Sequence, residues 1–277
     1  MRPSPMRDFW NSPSRLNRLS GLLVAISGLA LAGLFFFWMA NRPAFVVKRV
    51  IVESVAGDLK HVSAPQIHAA VAEALNGTVL SADLVQVHRS LQAIPWIRSV
   101  TIRRIWPNRL LVRLEEQRAV AVWPNGRLVN DAGESFAALA ADHEENCRLI
   151  PLAGPAGSER LVLDRARLLA QWIAPTQRHL QRLTLSEQYA WTAELTGGLV
   201  LELGRDALAT PVEERGRMFV KTQPWLAQRL GLPGEPPRLA RADLRYAIGY
   251  AFVPLPAGAE IPSLGADPTP LCIGVHT

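Results

Sequence analysis

Residues 100–116 read VTIRRIWPNRLLVRLEE, and this stretch decides how the chain around it folds. Two runs that suit strands, Val100 to Trp106 and Arg109 to Glu116, flank Pro107-Asn108, a dipeptide that favours a tight turn. In the second run Leu110, Val112 and Leu114 alternate with Leu111, Arg113 and Glu115. Successive strand side chains point to opposite faces, so one face should be buried and the other mostly solvated. A hairpin with one apolar face needs a covering layer.

The residues upstream supply it. Ser63-Ala64-Pro65-Gln66 has the form of a capping box with proline in the first turn. Ile67, Ala70, Val71, Ala74 and Leu75 follow at helical spacing, and Asn76-Gly77 reads as a helix stop. Ser81 is expected to open a second helix, with Leu84, Val87 and Leu91 on one face. Before both helices, Phe45 to Glu53 (FVVKRVIVE) reads as a strand. The predicted order is strand, helix, helix, strand, strand, a compact α+β module.

Further upstream, Leu19 to Ala40 is an apolar run of 22 residues without a charge. At about 1.5 Å per residue a helix of that length matches the hydrocarbon thickness of a bilayer. Its bulky end, Phe35-Phe36-Phe37-Trp38-Met39, does not suit a signal-peptide cleavage site, and aromatics belong at a membrane interface. Residues 1–18 carry Arg2, Arg7, Arg15 and Arg18 against Asp8, an excess that marks a cytoplasmic tail. The run is therefore read as an uncleaved transmembrane anchor, and the rest of the chain lies across the membrane. Gly21, Ala25, Gly28 and Ala32 form one stripe of small residues, as in packed membrane helices, although Gly and Ala are also common in such helices generally.

Downstream, the pattern turns β-rich. Ala119 to Trp123 and Arg127 to Asn130 form a predicted hairpin around Pro124-Asn125-Gly126, and residues 137–146 read as a loop. A helix fits Leu161 to Ile173, and strands fit Leu180 to Ser186, Ala190 to Leu195 and Leu199 to Leu203. Thr210-Pro211-Val212-Glu213 has a second capping-box form, opening a helix that Pro224 should kink or shorten. The last predicted strand is Ala242 to Val253, and the proline- and glycine-rich residues 255–277 read as a mobile tail.

Composition narrows the function. The net charge is +6, half of it in the short tail, so no basic surface of the kind nucleic acid requires is expected. The six histidines show no metal-ligand spacing, and there is no phosphate-binding glycine loop, dinucleotide fingerprint, nucleophile elbow or CxxC. The adjacent pairs Glu115-Glu116 and Glu144-Glu145 read as solvated surface charge. No cofactor, metal, catalytic residue or small-molecule substrate is expected. The two cysteines, Cys147 and Cys272, lie far apart in sequence; whether they pair is open, and no disulfide framework is expected to hold the protein together.

Three stretches together carry a resemblance. Ile94-Pro95-Trp96-Ile97-Arg98-Ser99-Val100 with Arg103-Arg104-Ile105-Trp106-Pro107-Asn108-Arg109-Leu110, then Asn130-Asp131-Ala132-Gly133-Glu134, then Asp243-Leu244-Arg245-Tyr246 with Gly249, resemble the FtsQ/DivIB family of bacterial division proteins. The resemblance implies a POTRA domain (β-α-α-β-β) at 41–117 after the anchor at 19–40. A β-rich α/β domain with a C-terminal edge strand follows at 118–254. It further implies a non-enzymatic, inner-membrane divisome scaffold with its bulk in the periplasm, enriched at the septum. Such a protein links early and late division proteins. It binds FtsB and FtsL, controls septal peptidoglycan synthesis through FtsW and FtsI, and meets FtsK and FtsN there. On this reading Arg245, Tyr246, Ile248, Gly249, Tyr250, Ala251 and Phe252 form the FtsB site, where a partner strand adds to a free sheet edge. Two rivals are a POTRA-bearing translocation or envelope-assembly factor, which predicts a β-barrel or several POTRA repeats, and an anchored envelope enzyme, which needs a polar constellation the sequence does not show.

Overall fold

The computed structural model describes residues 13–40, 47, 49–55, 57, 59–74, 82–140, 147–206, 210–230, 237–255 and 270–273. The chain divides into two units, residues 1–115 and 116–277, and each is described separately.

In the first unit, helix α1 spans Pro13–Ala40 and is exposed over the apolar run, with Ser20–Trp38 long and apolar enough to cross a membrane. The helix thus begins six residues before the predicted span, because Pro13 suits a first helical turn and nothing in residues 14–18 breaks a helix. Strand β1 (Arg49–Ser54), helices α2 (Ala64–Ala74) and α3 (Leu84–Gln92), and strands β2 (Ile97–Ile105) and β3 (Arg109–Glu116) follow in the predicted order. The three strands form a sheet in the order β1-β3-β2, with β1 parallel to β3. The expected buried face is present: Leu110, Val112 and Leu114 are fully buried, with Ile67, Val71, Val87 and Leu91 from the two helices. Leu111, on the opposite face, is largely buried too.

Half of the capping box at α2 forms, with Ser63 N–H donating to Gln66 Oε1 at 3.0 Å. Helix α3 departs from the expected start at Ser81, which lies outside the described residues, as does Asn76-Gly77. Asp83 caps α3 instead, its carboxylate accepting from the N–H groups of Val85 (2.9 Å) and Gln86 (3.2 Å). A carboxylate at that position satisfies two unpaired donors and complements the helix dipole.

Among the described residues, the second unit contains a nine-stranded sheet in the order β12-β11-β10-β9-β8-β7-β4-β5-β6. Its strands are β4 (Ala119–Val122), β5 (Leu128–Asn130), β6 (Ser135–Phe136), β7 (Ile150–Ala153), β8 (Leu180–Leu185), β9 (Trp191–Leu195), β10 (Val200–Gly204), β11 (Leu239–Asp243) and β12 (Ala251–Pro254). Helices α4 (Glu159–Ile173) and α5 (Val212–Arg229) pack on the sheet, and Val162, Leu163, Ala166, Leu169 and Phe219 share one core with Leu183, Ala193 and Leu201. The opposite rows, following the strand register, are polar and ion-paired, as in Arg182–Glu194 (3.7 Å) and Arg241–Glu202 (2.9 Å).

Several expectations are corrected. Strands β6 and β7 were not foreseen; β7 contains Pro151, which argues against an interior strand. The strand tolerates it because Ile150 and Pro151 pair with β4 whereas Leu152 and Ala153 pair with β8. The capping box at Thr210 does not form: Pro211 is the N-cap and makes no side-chain bond. Helix α5 is not shortened at Pro224 and continues to Arg229, held on both sides of the proline by buried Phe219, Leu226 and Ala227. Cys147 and Cys272 are joined by a disulfide, with Cα atoms 5.0 Å apart. Within the expected mobile tail, residues 270–273 are docked: Arg148 N–H donates to Pro270 O (2.8 Å), Cys272 N–H to Arg148 O (3.1 Å), and Cys272 and Ile273 are buried.

The Asn130-Asp131-Ala132-Gly133-Glu134 turn has a clear physical basis. Asn130 is fully buried; its carbonyl accepts from the N–H groups of Ala132 and Glu134, and its amide donates to Gln117 and Glu134. Gly133 has φ +81°, and a Cβ there would stand 2.6 Å from the Arg160 Cα.

Asn130→Ala orphans these buried donors and should cost about 2–3 kcal/mol, and Gly133→Ala should cost at least as much from strain and overlap, both read in denaturant melts of the full chain. Cys147→Ser should destabilise the second unit by about 2–4 kcal/mol while hydrogen exchange in the first unit stays unchanged.

Candidate functional site

The expected single strand from Ala242 to Val253 is broken in two. Strand β11 ends at Asp243, residues 244–250 form a connection, and β12 returns antiparallel with Ala242 opposite Phe252 and Asp243 opposite Ala251. Three interactions end the first strand. Leu244 N–H still donates to Glu202 O on β10 at 2.8 Å, but its carbonyl accepts from Arg215 Nη1 at 2.9 Å. Asp243 Oδ1 accepts from Arg245 N–H at 3.1 Å, a turn formed by an aspartate bonding its own backbone two residues on. The same carboxylate receives Arg245 Nε at 2.8 Å and Nη2 at 2.6 Å.

Arg215, on α5, was not anticipated. It is buried, and it also donates Nη2 to Arg205 O at 2.6 Å, so one guanidinium ties the exit of β10 to the exit of β11. Burial lowers its pKa, and Asp206 and Glu213 oppose that shift. Its position gave the one available signal: Arg215 lies three residues after Val212 and four before Phe219, on the apolar face of the helix. Asp243 is held below the ordinary carboxylate range, first by its side-chain hydrogen bond from Arg245, whose own pKa is raised by the same pairing.

The sequence-predicted residues therefore separate into two groups. Arg245, Tyr246, Ile248, Gly249 and Tyr250 lie in the connection, and Ala251 and Phe252 lie on β12. A continuous strand would place Leu244, Tyr246 and Ile248 on one face, yet Leu244 is buried whereas Tyr246 is 55% and Ile248 95% exposed. Tyr250 anchors the end of the connection. Its ring meets Phe219 edge-on at 5.2 Å between centroids, and its hydroxyl is 2.7 Å from Thr222 Oγ1. Gly249 has open space around it.

All four residues of β12 are exposed, and it is an end strand of the sheet. Leu255 N–H donates inward to Arg238 O at 2.9 Å. By the alternation of peptide groups along a strand, the N–H and C=O of Phe252 then point away from β11, toward the open edge. Pro254 shares that outward side, where its missing N–H costs no ladder bond. Phe252 lies beside Tyr250, at 6.4 Å between rings, and Val253, the next residue along the strand, occupies the other face. The site is thus a short backbone edge flanked by exposed apolar groups, which equips it to add a strand. On α1, Gly21, Ala25, Gly28 and Ala32 are exposed, and open space surrounds Gly21 and Gly28. Among the described residues no group of three or more His, Cys, Asp or Glu is placed to hold a metal ion.

The comparisons agree with this architecture. A family model described as "POTRA domain, FtsQ-type" matches residues 49–117, and one described as "Cell division protein FtsQ/DivIB, C-terminal" matches residues 121–245. The chain is 35% identical over 263 residues to the cell division protein FtsQ of Bordetella pertussis, covering 89% of this chain and 94% of that one. It is 36% identical over 243 residues to FtsQ of Burkholderia pseudomallei, covering 88% and 93%. FtsQ of Nitrosospira multiformis is 31% identical over 245 residues, covering 87% and 98%. With both of its units matched and relatives similar over almost their whole length, the chain belongs to the FtsQ/DivIB family of cell division proteins.

Proposed function

We propose that this protein is a non-enzymatic divisome scaffold that captures a strand of FtsB on the open edge of β12. The observation that carries the reading is the edge itself: four exposed residues at the end of a sheet, with the backbone of Phe252 directed outward and no strand beside it among the described residues. The exposed side chains of Tyr246 and Ile248 extend the contact surface beyond the backbone. Strand addition supplies affinity through main-chain bonds and register through alternate side chains.

In this reading α1 crosses the inner membrane with the N-terminus cytoplasmic and the two units periplasmic. FtsL binds together with FtsB. Through them the scaffold links early and late division proteins and controls septal synthesis by FtsW and FtsI, with FtsK and FtsN as further partners at the septum. The Gly21, Ala25, Gly28 and Ala32 stripe is the face on which a partner's membrane helix packs. Confinement to one membrane raises the effective concentration of single-span partners, so a four-residue edge is sufficient.

Phe252→Pro removes the outward donor and should weaken binding of a soluble FtsB fragment to the full chain by at least about tenfold, whereas Phe252→Ala, which keeps the backbone, loses less. Unchanged affinity in a Phe252→Pro protein that still melts normally would reject the site. The lowered pKa of Asp243 means that its clasp on Arg245 is intact above the ordinary carboxylate range and is lost as pH falls through the depressed folded value. Amide exchange at Arg245 should accordingly rise at pH 7 in Asp243→Asn. In the unsubstituted protein the protection factor of that amide should fall only once the pH drops below the ordinary carboxylate range.

A further inference from the structure

The sheet of the first unit is electrically polarised along its strands. Because β1 is parallel to β3, with Arg49 opposite Arg109, their first residues share one end of the sheet. Strands β2 and β3 are neighbours joined by residues 106–108 alone, a connection too short for a parallel crossover, so β2 finishes at that same end. Arg49, Arg103, Arg104 and Arg109 therefore gather there, together with Trp106 at the hairpin tip. The carboxylates Glu53, Glu115 and Glu116 stand at the other end, where they meet the remaining sheet cations: Arg113 pairs with Glu53 at 2.9 Å and Arg98 with Glu115 at 3.4 Å.

At the cationic end the pairing is different. Arg49, Arg103 and Arg109 have no carboxylate partner among the described residues, and Arg104 donates to a neutral group, Ala82 O, at 3.0 Å. The neighbouring Asp83 is engaged in capping α3. Trp106 is 56% exposed.

This is also the end by which the chain enters from α1. Nine peptide steps separate Ala40 from Arg49, so the first residue of β1 is held within about 30 Å of the end of the span. An amphipathic aromatic ring among arginines that have no carboxylate partner in the described residues, tethered this close to a bilayer, matches an interface rich in anionic headgroups.

We propose that this end of the first unit, Arg49, Arg103, Arg104 and Arg109 around Trp106, docks on the anionic phospholipid headgroups of the leaflet it faces. Docking orients the unit on the membrane, so α1 and the sheet end act as two attachment points.

The test uses the full chain reconstituted in vesicles of phosphatidylcholine containing brominated phosphatidylcholine, with or without phosphatidylglycerol. The signal of Trp106 is the fluorescence difference between the unsubstituted protein and Trp106→Phe. Bromine quenching of that difference should appear with phosphatidylglycerol, be nearly absent in phosphatidylcholine alone, and shrink in high salt. Each charge at an anionic surface multiplies the docking equilibrium by roughly fivefold, so Arg49→Gln, Arg103→Gln and Arg109→Gln together should lower it by about a hundredfold. Arg98→Gln with Arg113→Gln, at the opposite end, should leave quenching intact in a chain that melts normally. Equal quenching in both lipid mixtures would overturn charge recognition. A Trp106 signal unquenched in either lipid, or altered only when a protein partner is added, would overturn membrane docking altogether.

Discussion

One buried guanidinium decides what the second unit can present. Arg215 is removed from water on the core-facing side of α5, and its desolvation is offset by two carbonyls, those of Arg205 and Leu244, that meet its Nη groups, and by the nearby carboxylates of Asp206 and Glu213. Those carbonyls belong to the exits of neighbouring strands. The bond to Leu244 ends β11, forces residues 244–250 out of the sheet and returns the chain as β12. An exposed strand edge is ordinarily a hazard for a soluble domain. Here the edge is only four residues long and carries Pro254 on its outward side, so it is open to one short partner strand and poorly suited to sheet-to-sheet aggregation.

The two proposed contacts rest on different physics. In the second, main-chain hydrogen bonding at β12 and the apolar side chains around it are the available interactions, both short in range. The first unit offers a field: its strands separate cations from carboxylates along their length, and the cationic end is the one joined to α1. A charged end near a membrane acts at a distance of about a Debye length, roughly 8 Å at physiological ionic strength, before any contact forms. Orientation by the first unit and capture by the second are compatible because neither uses the residues of the other.

Much of the fold was legible because periodicity and turn chemistry agree over long stretches. The alternation of Leu110, Val112 and Leu114, the helical spacing of Ile67 and Val71, and the Pro-Asn-Gly turn at 124–126 each state a local preference that the tertiary structure keeps. Failures arose where a local pattern was outweighed. The alternation Leu244, Tyr246, Ile248, Tyr250, Phe252 has the period of a strand, yet Asp243 was the better guide: its side chain bonds the Arg245 N–H and turns the chain. Pro151 concealed β7, because a proline in a central strand is acceptable only if its neighbours switch partners at that point, which is information about pairing.

The sequence by itself determined the long apolar N-terminal helix, the order of the elements in the first unit and their buried faces, because each depends on residues close together along the chain. Tertiary structure alone decided the rest. The Cys147–Cys272 bond joins residues 125 positions apart, Arg215 bridges two strand ends, and Arg49, Arg103, Arg104 and Arg109 gather at one end of the first unit's sheet only because β1 is parallel to β3 and opposite in direction to β2. All three depend on distances across the fold, set by which strands lie side by side, and no local pattern of residues encodes that arrangement.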